Sequence, residues 1–185
     1  MATVTTSTTN SFLQRLIGAL SLDAAIFEDV EADAGATTQA FAVVVLSSLA
    51  SGVGARGFGV TSPGAIAFII ILSLLLWAAW ALVTFEIGAR LMPTRETHAD
   101  VGQLLRTIGF AATPGLLRVF GIMPQATIPV FAITAVWMLL AMIVAVRQAL
   151  DYRSTTRAVA VCVIGWTLAV AFAVGLGLFL NPALS

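Results

Sequence analysis

Few residues of this 185-residue chain could carry chemistry, and their spacing forms no recognisable site. The single histidine, His98, lies between Glu96 and Asp100, whereas zinc sites usually take three or four nitrogen or sulfur ligands from a fixed scaffold. The single cysteine, Cys162, excludes a disulfide framework and a multi-thiolate metal site. No hydrolase motif accompanies them. The sequence therefore predicts a protein that is not an enzyme and has no cofactor and no metal.

One glycine-rich stretch, GVGARG at residues 52–57, matches the G-x-G-x-x-G pattern of dinucleotide-binding loops. Such a loop follows a β-strand and opens a helix, whereas this stretch ends a long apolar segment. We therefore interpret it as a turn between two helices.

Ionisable residues inside apolar segments are costly in a membrane and often functional. Glu86 stands four residues before Arg90, which is the favourable order on a helix, and Arg106 lies in the first turn of the next apolar segment. We expect these three residues to form an intramembrane charge cluster with a structural role, or alternatively to line a path for a solute. Arg118, near the other end of the same segment, is expected to extend outward to the membrane surface.

The acidic residues collect before the first long apolar segment. Five acids and no base lie close together there, namely Asp23, Glu28, Asp29, Glu31 and Asp33. The sequence leaves two interpretations open: a solvated patch, or a docking surface for a basic partner.

The composition of the chain indicates the environment in which these charged residues lie. The chain is 59% hydrophobic and only 10% charged, with a mean hydropathy of +1.02. A typical soluble domain is roughly 45–50% apolar and about 25% charged. The net charge is zero, and all nine basic residues are arginines. These values exclude a soluble enzyme, a disordered chain and a nucleic-acid-binding protein, and they predict an integral membrane protein whose first partner is the lipid bilayer.

The predicted fold is an all-α bundle, because lipid requires each backbone group to be paired within its own segment. Five stretches are long enough to cross a bilayer, at about 38–55, 64–88, 104–123, 128–146 and 158–180. Before them we expect a disordered tail at 1–10 and a cytoplasmic amphipathic, interfacial segment at 11–37, and after them a short outer tail at 181–185. Within the interfacial segment, Ser11 and Gln14 predict a capping box, and a second short helix is expected from Asp23 to Val30.

The arginines predict the orientation. Six of them fall on one side if the N-terminus is cytoplasmic, namely Arg15, Arg90, Arg95, Arg147, Arg153 and Arg157. The expected topology is N-in and C-out.

Small residues predict where the helices pack. On the fifth segment they recur every four residues and form a helix-packing face of Gly165, Ala169, Ala173 and Gly177. On the third, Gly102, Arg106, Gly109 and Thr113 form one stripe, which predicts that Arg106 faces other helices, with a kink at Pro114. Such faces suit contacts with other membrane proteins or a homo-oligomer.

Three stretches of the chain resemble the Yip1-domain family of polytopic membrane proteins. They are residues 16–20 leading through 27–29, residues 102–110 with Pro114 four residues later, and residues 137–147 followed by 154–160. The resemblance implies a five-helix bundle with a cytosolic N-terminal region. Eukaryotic relatives partner prenylated Rab-type GTPases, but the region before the first span is shorter here. Arginine without lysine, with abundant Ala, Val and Gly, suggests the bacterial branch and a bacterial cytoplasmic (inner) membrane.

The sequence thus predicts a non-enzymatic, Yip1-like membrane protein that acts as a scaffold or interaction partner. Two alternatives stay open: a small transporter or channel that uses Glu86 and Arg106, and an accessory subunit of a larger bioenergetic complex. A transporter should have a cavity that reaches mid-membrane, whereas a subunit should present the Gly165 face to another chain.

Overall fold

The computed structural model describes the backbone of residues 10–91 and 100–180, and the side chains of these residues as far as Leu168 except those at positions 89 and 91. Every regular element within these ranges is helical. The α-helices are α1 (Phe12–Leu20), α2 (Ala24–Ala32), α3 (Ala36–Gly54), α4 (Pro63–Phe85), α5 (Val101–Ala111), α6 (Thr127–Ala149) and α7 (Thr155–Leu180). A short 3-10 helix, Ala55–Phe58, extends α3; a π-helix, Glu86–Leu91, extends α4; and a longer 3-10 helix, Thr113–Ile122, follows α5.

Three helical segments are long and apolar enough to cross a membrane: Ala36–Phe58, Pro63–Gly88 and Thr127–Ala149. The most apolar of them, Pro63–Gly88, has a mean hydropathy of 2.7, yet only 6% of its most apolar stretch is buried inside the protein. In water this surface would be strongly unfavourable, since soluble monomers rarely expose large apolar patches. The fold is therefore that of a helical membrane protein. The part of α7 with described side chains, Thr155–Leu168, is apolar but shorter.

The predicted third span differs from a continuous helix. The α-helix ends at Ala111, and the chain continues as a 3-10 helix that begins next to Pro114. Proline lacks the N–H that an α-helix needs in its interior, which explains the change of helix type at this point. The expected kink is thus a change from α- to 3-10 geometry.

Residues 101–122 run alongside α3 in the same direction. A Cβ added to Gly109 would lie 2.8 Å from that of Ala40, and one added to Gly54 would meet the carbonyl oxygen of Arg118. The glycines at 54 and 57 therefore serve close packing of backbones, because the space beside Gly57 is taken by the Gly121 carbonyl. The G-x-G-x-x-G stretch is itself helical, at the end of α3 and in the 3-10 helix that extends it, so the predicted position of the turn is wrong and the turn begins after the stretch, at Gly59.

The helices α1 and α2 form a hairpin that packs against α5 and α6. The predicted capping box is confirmed: the Ser11 hydroxyl accepts from the Gln14 N–H at 3.3 Å, and the Gln14 side chain accepts from the Ser11 N–H at 2.8 Å. The second short helix is confirmed too, with Asp23 as its N-cap. The outer face of α1 is apolar, since Leu13 is 65% exposed, which agrees with an amphipathic helix.

The hairpin reaches far along the bundle. The Trp137 indole, close to the midpoint of α6, donates to the backbone carbonyl of Leu20 at 2.8 Å. One hydrophobic core joins the hairpin to α3, α5 and α6 around Phe27 and Phe110, and a second joins α4 to α7 around Leu104 and Leu150. The segment 11–37 is therefore an integral part of the folded structure.

Candidate functional site

Arg15 is a buried anchor that the sequence did not reveal. Its side chain is 1% exposed and donates to Asp29 at 2.8 Å, to Asp33 at 2.7 Å and to Gln39 at 3.0 Å. The hydrogen bond from Arg15 lowers the pKa of Asp33, and the N–H of Gly35 adds to this effect. Burial alone would lower the pKa of Arg15, but the hydrogen bonds to Asp33 and Asp29 outweigh it and raise that pKa. The network ties α1 to α2 and to the first turn of α3.

The five acids of the predicted docking patch are therefore not equivalent. Asp29 and Asp33 are ion-paired to Arg15, and Asp23 caps α2 through the N–H of Ala25 at 3.0 Å. Glu28 is exposed and accepts from the Gln148 amide of α6 at 2.7 Å. Glu31 is half-buried. Within the described part of the chain, Asp23, Glu28 and Glu31 form no ion pair, and Glu28 and Glu31 lie three residues apart on α2.

The burial of Glu31 changes its acidity. Loss of hydration, together with the negative charges of Asp151 and Glu28, raises its pKa from 4.5 to about 7, against the opposing attraction of Arg106. Glu31 is therefore the one acid among the described residues outside the predicted spans whose pKa is raised into the neutral range.

The predicted cluster of Glu86, Arg90 and Arg106 is divided in the structure. Arg90 pairs with Glu86 at 2.9 Å on the π-helix, where both side chains are more than half exposed. Arg106 is 8% exposed and donates instead to the backbone carbonyls of Val30 at 3.2 Å and Glu31 at 2.5 Å. The physical reason is that the last carbonyls of α2 lack partners within the helix, and a buried guanidinium satisfies them. The expectation that Arg106 faces other helices is confirmed.

Arg118 lies on a different side of the bundle, and its side chain turns inward. Its Nη1 donates to the Ser51 hydroxyl at 3.1 Å and its Nε to the Thr134 hydroxyl at 3.3 Å. The backbone carbonyl of Arg118 lies beside Gly54, the last residue of α3. Ser51 precedes Gly54 by three residues, so the bond to Ser51 places the guanidinium about 4.5 Å from Gly54 towards the middle of α3. The guanidinium also lies 5.3 Å from the ring centroid of Phe131, a cation–π contact. The expected outward extension of Arg118 is therefore wrong.

Beside this guanidinium lies a cavity of about 280 Å³, which we call the Arg118 cavity. Its polar wall comprises Arg118 and four serines of α3 and α4, Ser47, Ser48, Ser51 and Ser73. Its apolar wall comprises Val44, Leu76, Trp77, Trp80, Ala112, Ala135, Met138, Leu139, Met142 and Trp166. The cavity therefore lies among α3, α4, α6, α7 and the 3-10 helix Thr113–Ile122.

Unpaired polar atoms occur on one face of α4. Within the described part of the chain, the buried side-chain atoms with no hydrogen-bond partner are Trp77 Nε1, Trp80 Nε1 and Thr84 Oγ1. The spacing i, i+3 and i+7 places them on one side of the helix, and both tryptophans line the Arg118 cavity. Buried polar groups without partners are rare in folded proteins, so this face is unusual.

The sequence had pointed to Glu86 and Arg106, whereas the structure places the Arg118 cavity elsewhere. The available signal was the spacing of Ser47 and Ser51, four residues apart on α3. Serines within an apolar segment weaken its prediction as a span, and here they form the wall of a cavity instead.

Other predicted residues are only partly described. Gly165 is buried, with Val83 and Trp80 of α4 beside it, while the side chains of Ala169, Ala173 and Gly177 lie outside the described residues. Glu96 and His98, like residues 1–9 and 181–185, also lie outside them. In the ranges that are described, no group of three His, Cys, Asp or Glu residues could hold a metal ion.

The geometry defines a helical membrane protein with a docked N-terminal hairpin and an internal cavity that contains one arginine. Comparison with known proteins adds no relative: no protein-family model, curated protein or solved structure matches the chain.

Proposed function

We propose that this chain is a non-enzymatic, five-span, Yip1-like protein of a bacterial cytoplasmic membrane, oriented N-in and C-out, that acts as a scaffold for other membrane proteins. The order of its motifs and its arginine distribution support the family and the orientation. The run of residues 101–122 alongside α3 supports a crossing by the predicted third span.

The single observation that carries the scaffold function is the fixed acidic surface of the N-terminal hairpin. Arg15 and Arg106 hold α2 against the bundle, so Glu28 and Glu31 occupy defined positions beside Gln148 of α6. A preformed surface loses little conformational entropy on binding, which favours association with a basic partner. Solvated acids on a disordered segment would lack this advantage.

The structure indicates which acids to change in a test. Replacing Glu28 and Glu31 with glutamine removes the charge of Glu28 and the partial charge that Glu31 carries near pH 7, and it leaves the Arg15 ion pairs with Asp29 and Asp33 intact. Asp151→Asn is the matched control, because it removes a nearby acid outside the hairpin, and asparagine tolerates the positive φ of 50° at this position. The three proteins are cross-linked in native membranes, and their partners are identified quantitatively by mass spectrometry.

The proposal expects the glutamine variant to lose specific cross-links that the wild type and Asp151→Asn retain. An unchanged set of partners in the glutamine variant would remove the acidic surface from the proposal.

A second candidate, a small transporter, is favoured by the Arg118 cavity. The residues that serve it differ from those expected, since Glu86 pairs with Arg90 and Arg106 is bonded to α2. Solute movement would therefore depend on Arg118. The accessory-subunit alternative receives less support, because Gly165 lies against α4 of the same chain.

A further inference from the structure

We infer that the Arg118 cavity binds the anionic headgroup of a single-chain amphiphile, with Arg118 as the cation that receives the headgroup. Binding at this site is additional to the scaffold function and does not depend on it, because the hairpin surface and the cavity use different residues.

The hydrogen bonds of the polar wall determine the charge of the ligand. Arg118 contacts two hydroxyl groups, and both have already donated their protons: Ser51 to the carbonyl of Ser47 at 2.9 Å, and Thr134 to that of Val130 at 2.8 Å. The Nη2 of Arg118 has no hydrogen-bond partner within the described residues. The wall therefore offers N–H groups that an acceptor could bind.

The positive charge of this wall is not balanced. None of the residues that line the cavity is acidic, and no ion pair of Arg118 occurs in the part of the chain that the structure describes. By contrast, Arg15 and Arg90 each contact a carboxylate. A cation inside a bundle of apolar helices is costly unless it is neutralised, so an anion in this cavity would be strongly favoured.

The tryptophans of α4 provide a second, independent observation. The indole N–H groups of Trp77 and Trp80 are donors without acceptors, and both side chains line the same cavity. Neither nitrogen is accessible at the cavity surface, so a small rotation of the indole would be needed to reach a ligand. The two indole N–H groups can only donate, and the hydroxyl groups of Ser47, Ser48 and Ser73 in the same wall can donate as well as accept, so the wall fits an acceptor such as carboxylate or phosphate.

The apolar wall of the cavity fits an apolar chain attached to the headgroup. Met138, Leu139 and Met142 form an adaptable apolar wall, since methionine fills irregular spaces readily. Leu76 and Trp166, which are 41% and 57% exposed, lie at the rim together with the exposed Ala135. A volume of about 280 Å³ accommodates a headgroup and a few carbons, so the rest of the chain would pass this rim into the surrounding lipid.

The test uses the full chain purified in an uncharged maltoside detergent. Dibrominated stearate, which quenches tryptophan fluorescence on contact, is titrated in parallel with its uncharged methyl ester. The proposal expects the stearate to bind at least roughly tenfold more tightly than the ester, and Arg118→Gln to remove most of that difference. Arg56→Gln, which changes an exposed arginine beyond the end of α3, is the matched control and should bind as the wild type does. Equal binding of stearate and ester would overturn the proposal.

Competition identifies the source of the anion. Displacement by unlabelled stearate alone indicates a carboxylate, and displacement by lysophosphatidate alone indicates a phosphate. Inorganic phosphate without an acyl chain should compete at least roughly tenfold less well than either. Equally effective competition by inorganic phosphate would overturn the assignment of an amphiphile.

Two further variants keep the proposal testable if Arg118→Gln does not fold. Arg118→Lys keeps the charge and should retain a preference for stearate over the ester. Ala135→Phe narrows the rim without changing Arg118 and should weaken stearate binding by roughly tenfold. Wild-type affinity in a folded Ala135→Phe protein would exclude this cavity as the binding site.

Discussion

Arg106 of α5 donates a hydrogen bond to the backbone carbonyl of Glu31 at the end of α2, with 2.5 Å between Nη2 and the oxygen. A second bond, to the carbonyl of Val30, is 3.2 Å long. The contact joins residues 75 positions apart and places a cation at the negative end of a helix dipole. It therefore fixes the N-terminal hairpin to the bundle. The sequence predicted that Glu86 would balance the charge of Arg106, whereas in the structure Glu86 pairs with Arg90.

We expect Arg106→Leu to lower the free energy of unfolding by about 2–3 kcal/mol, because two carbonyl groups lose a charged donor in a largely buried place. The measurement is a denaturation titration in mixed micelles, followed by tryptophan fluorescence. Unchanged stability would show that these hydrogen bonds contribute nothing to folding.

A double-mutant cycle separates this account from the predicted charge cluster. Glu86 contacts Arg90 and does not contact Arg106, so Glu86→Gln and Arg106→Leu should have additive effects within about 0.5 kcal/mol. A coupling energy well above that value would restore the cluster of Glu86, Arg90 and Arg106.

Arg15→Met should be one of the most destabilising changes on α1, because it leaves Asp29 and Asp33 without their shared cation. We expect the free energy of unfolding to fall by about 2–3 kcal/mol, since breaking one partner of a buried ion pair leaves the other charge uncompensated. The same change at the exposed Arg56 is the control and should have an effect below about 0.5 kcal/mol. Similar losses for both variants would mean that the ion pairs do not stabilise the hairpin.

Gly109 allows α5 to approach the backbone of α3. A Cβ at this position would lie 2.8 Å from the Cβ of Ala40 and 3.1 Å from its carbonyl oxygen, so Gly109→Ala should cost about 1–3 kcal/mol. Gly64, in the first turn of α4, is the matched control, because the nearest atom would be the Ser62 hydroxyl at 3.8 Å. Gly64→Ala should be neutral or slightly stabilising. A neutral Gly109→Ala would indicate that the two helices are further apart.

The features that could be predicted from the sequence are those decided by neighbouring residues. The capping box at Ser11, the N-cap at Asp23 and the apolar character of α4 and α6 all depend on a few consecutive positions. The break of the third apolar segment was foreshadowed by Pro114, but the extent of the 3-10 helix after it was not. Its geometry depends on packing against α3 and α6, which no local pattern encodes.

The charged contacts could not be predicted, because they join distant parts of the chain. Arg15 was counted only as a residue that sets orientation, although its partners Asp29 and Asp33 were recognised as acids. Spacing along one helix correctly suggested Glu86 with Arg90, and it offered no reason to place Arg118 beside Ser51, 67 residues away. Long arginine side chains choose partners by tertiary proximity, and a single sequence does not contain that information.

Glu31 should make stability depend on pH. Its pKa is raised to about 7, so the folded protein retains a proton that the unfolded chain, with a value near 4.5, has released. The free energy of unfolding should therefore fall as the pH rises from about 4.5 to about 7. Glu31→Gln lacks this loss and should equal the wild type near pH 4 yet exceed it by about 1–2 kcal/mol near pH 8, a value reduced for partial solvent screening.

Asp151→Asn provides the complementary measurement, since the charge of Asp151 contributes to raising the pKa of Glu31. The pH-dependent loss of stability in this variant should begin near the same pH of about 4.5, where the unfolded chain titrates, but end at a lower pH than in the wild type and be smaller in total. A difference between wild type and Glu31→Gln that stays constant across pH would contradict the proton retention.

The five-span topology can be tested at both ends of the chain and at two turns. With Cys162→Ala as background, single cysteines at Asn10 and Ser185 should lie on opposite sides of the membrane, and an impermeant thiol reagent applied outside should label only Ser185→Cys. Gly57 lies against Gly121 and Thr127, so cysteines at Thr61 and Gln125, in the turns before α4 and before α6, should both be labelled from outside as well.

If residues 101–122 turned back without crossing, the bundle would have four spans and both termini would share one side. Labelling of Asn10→Cys together with Ser185→Cys from one side would therefore show that the 3-10 helix does not complete a crossing.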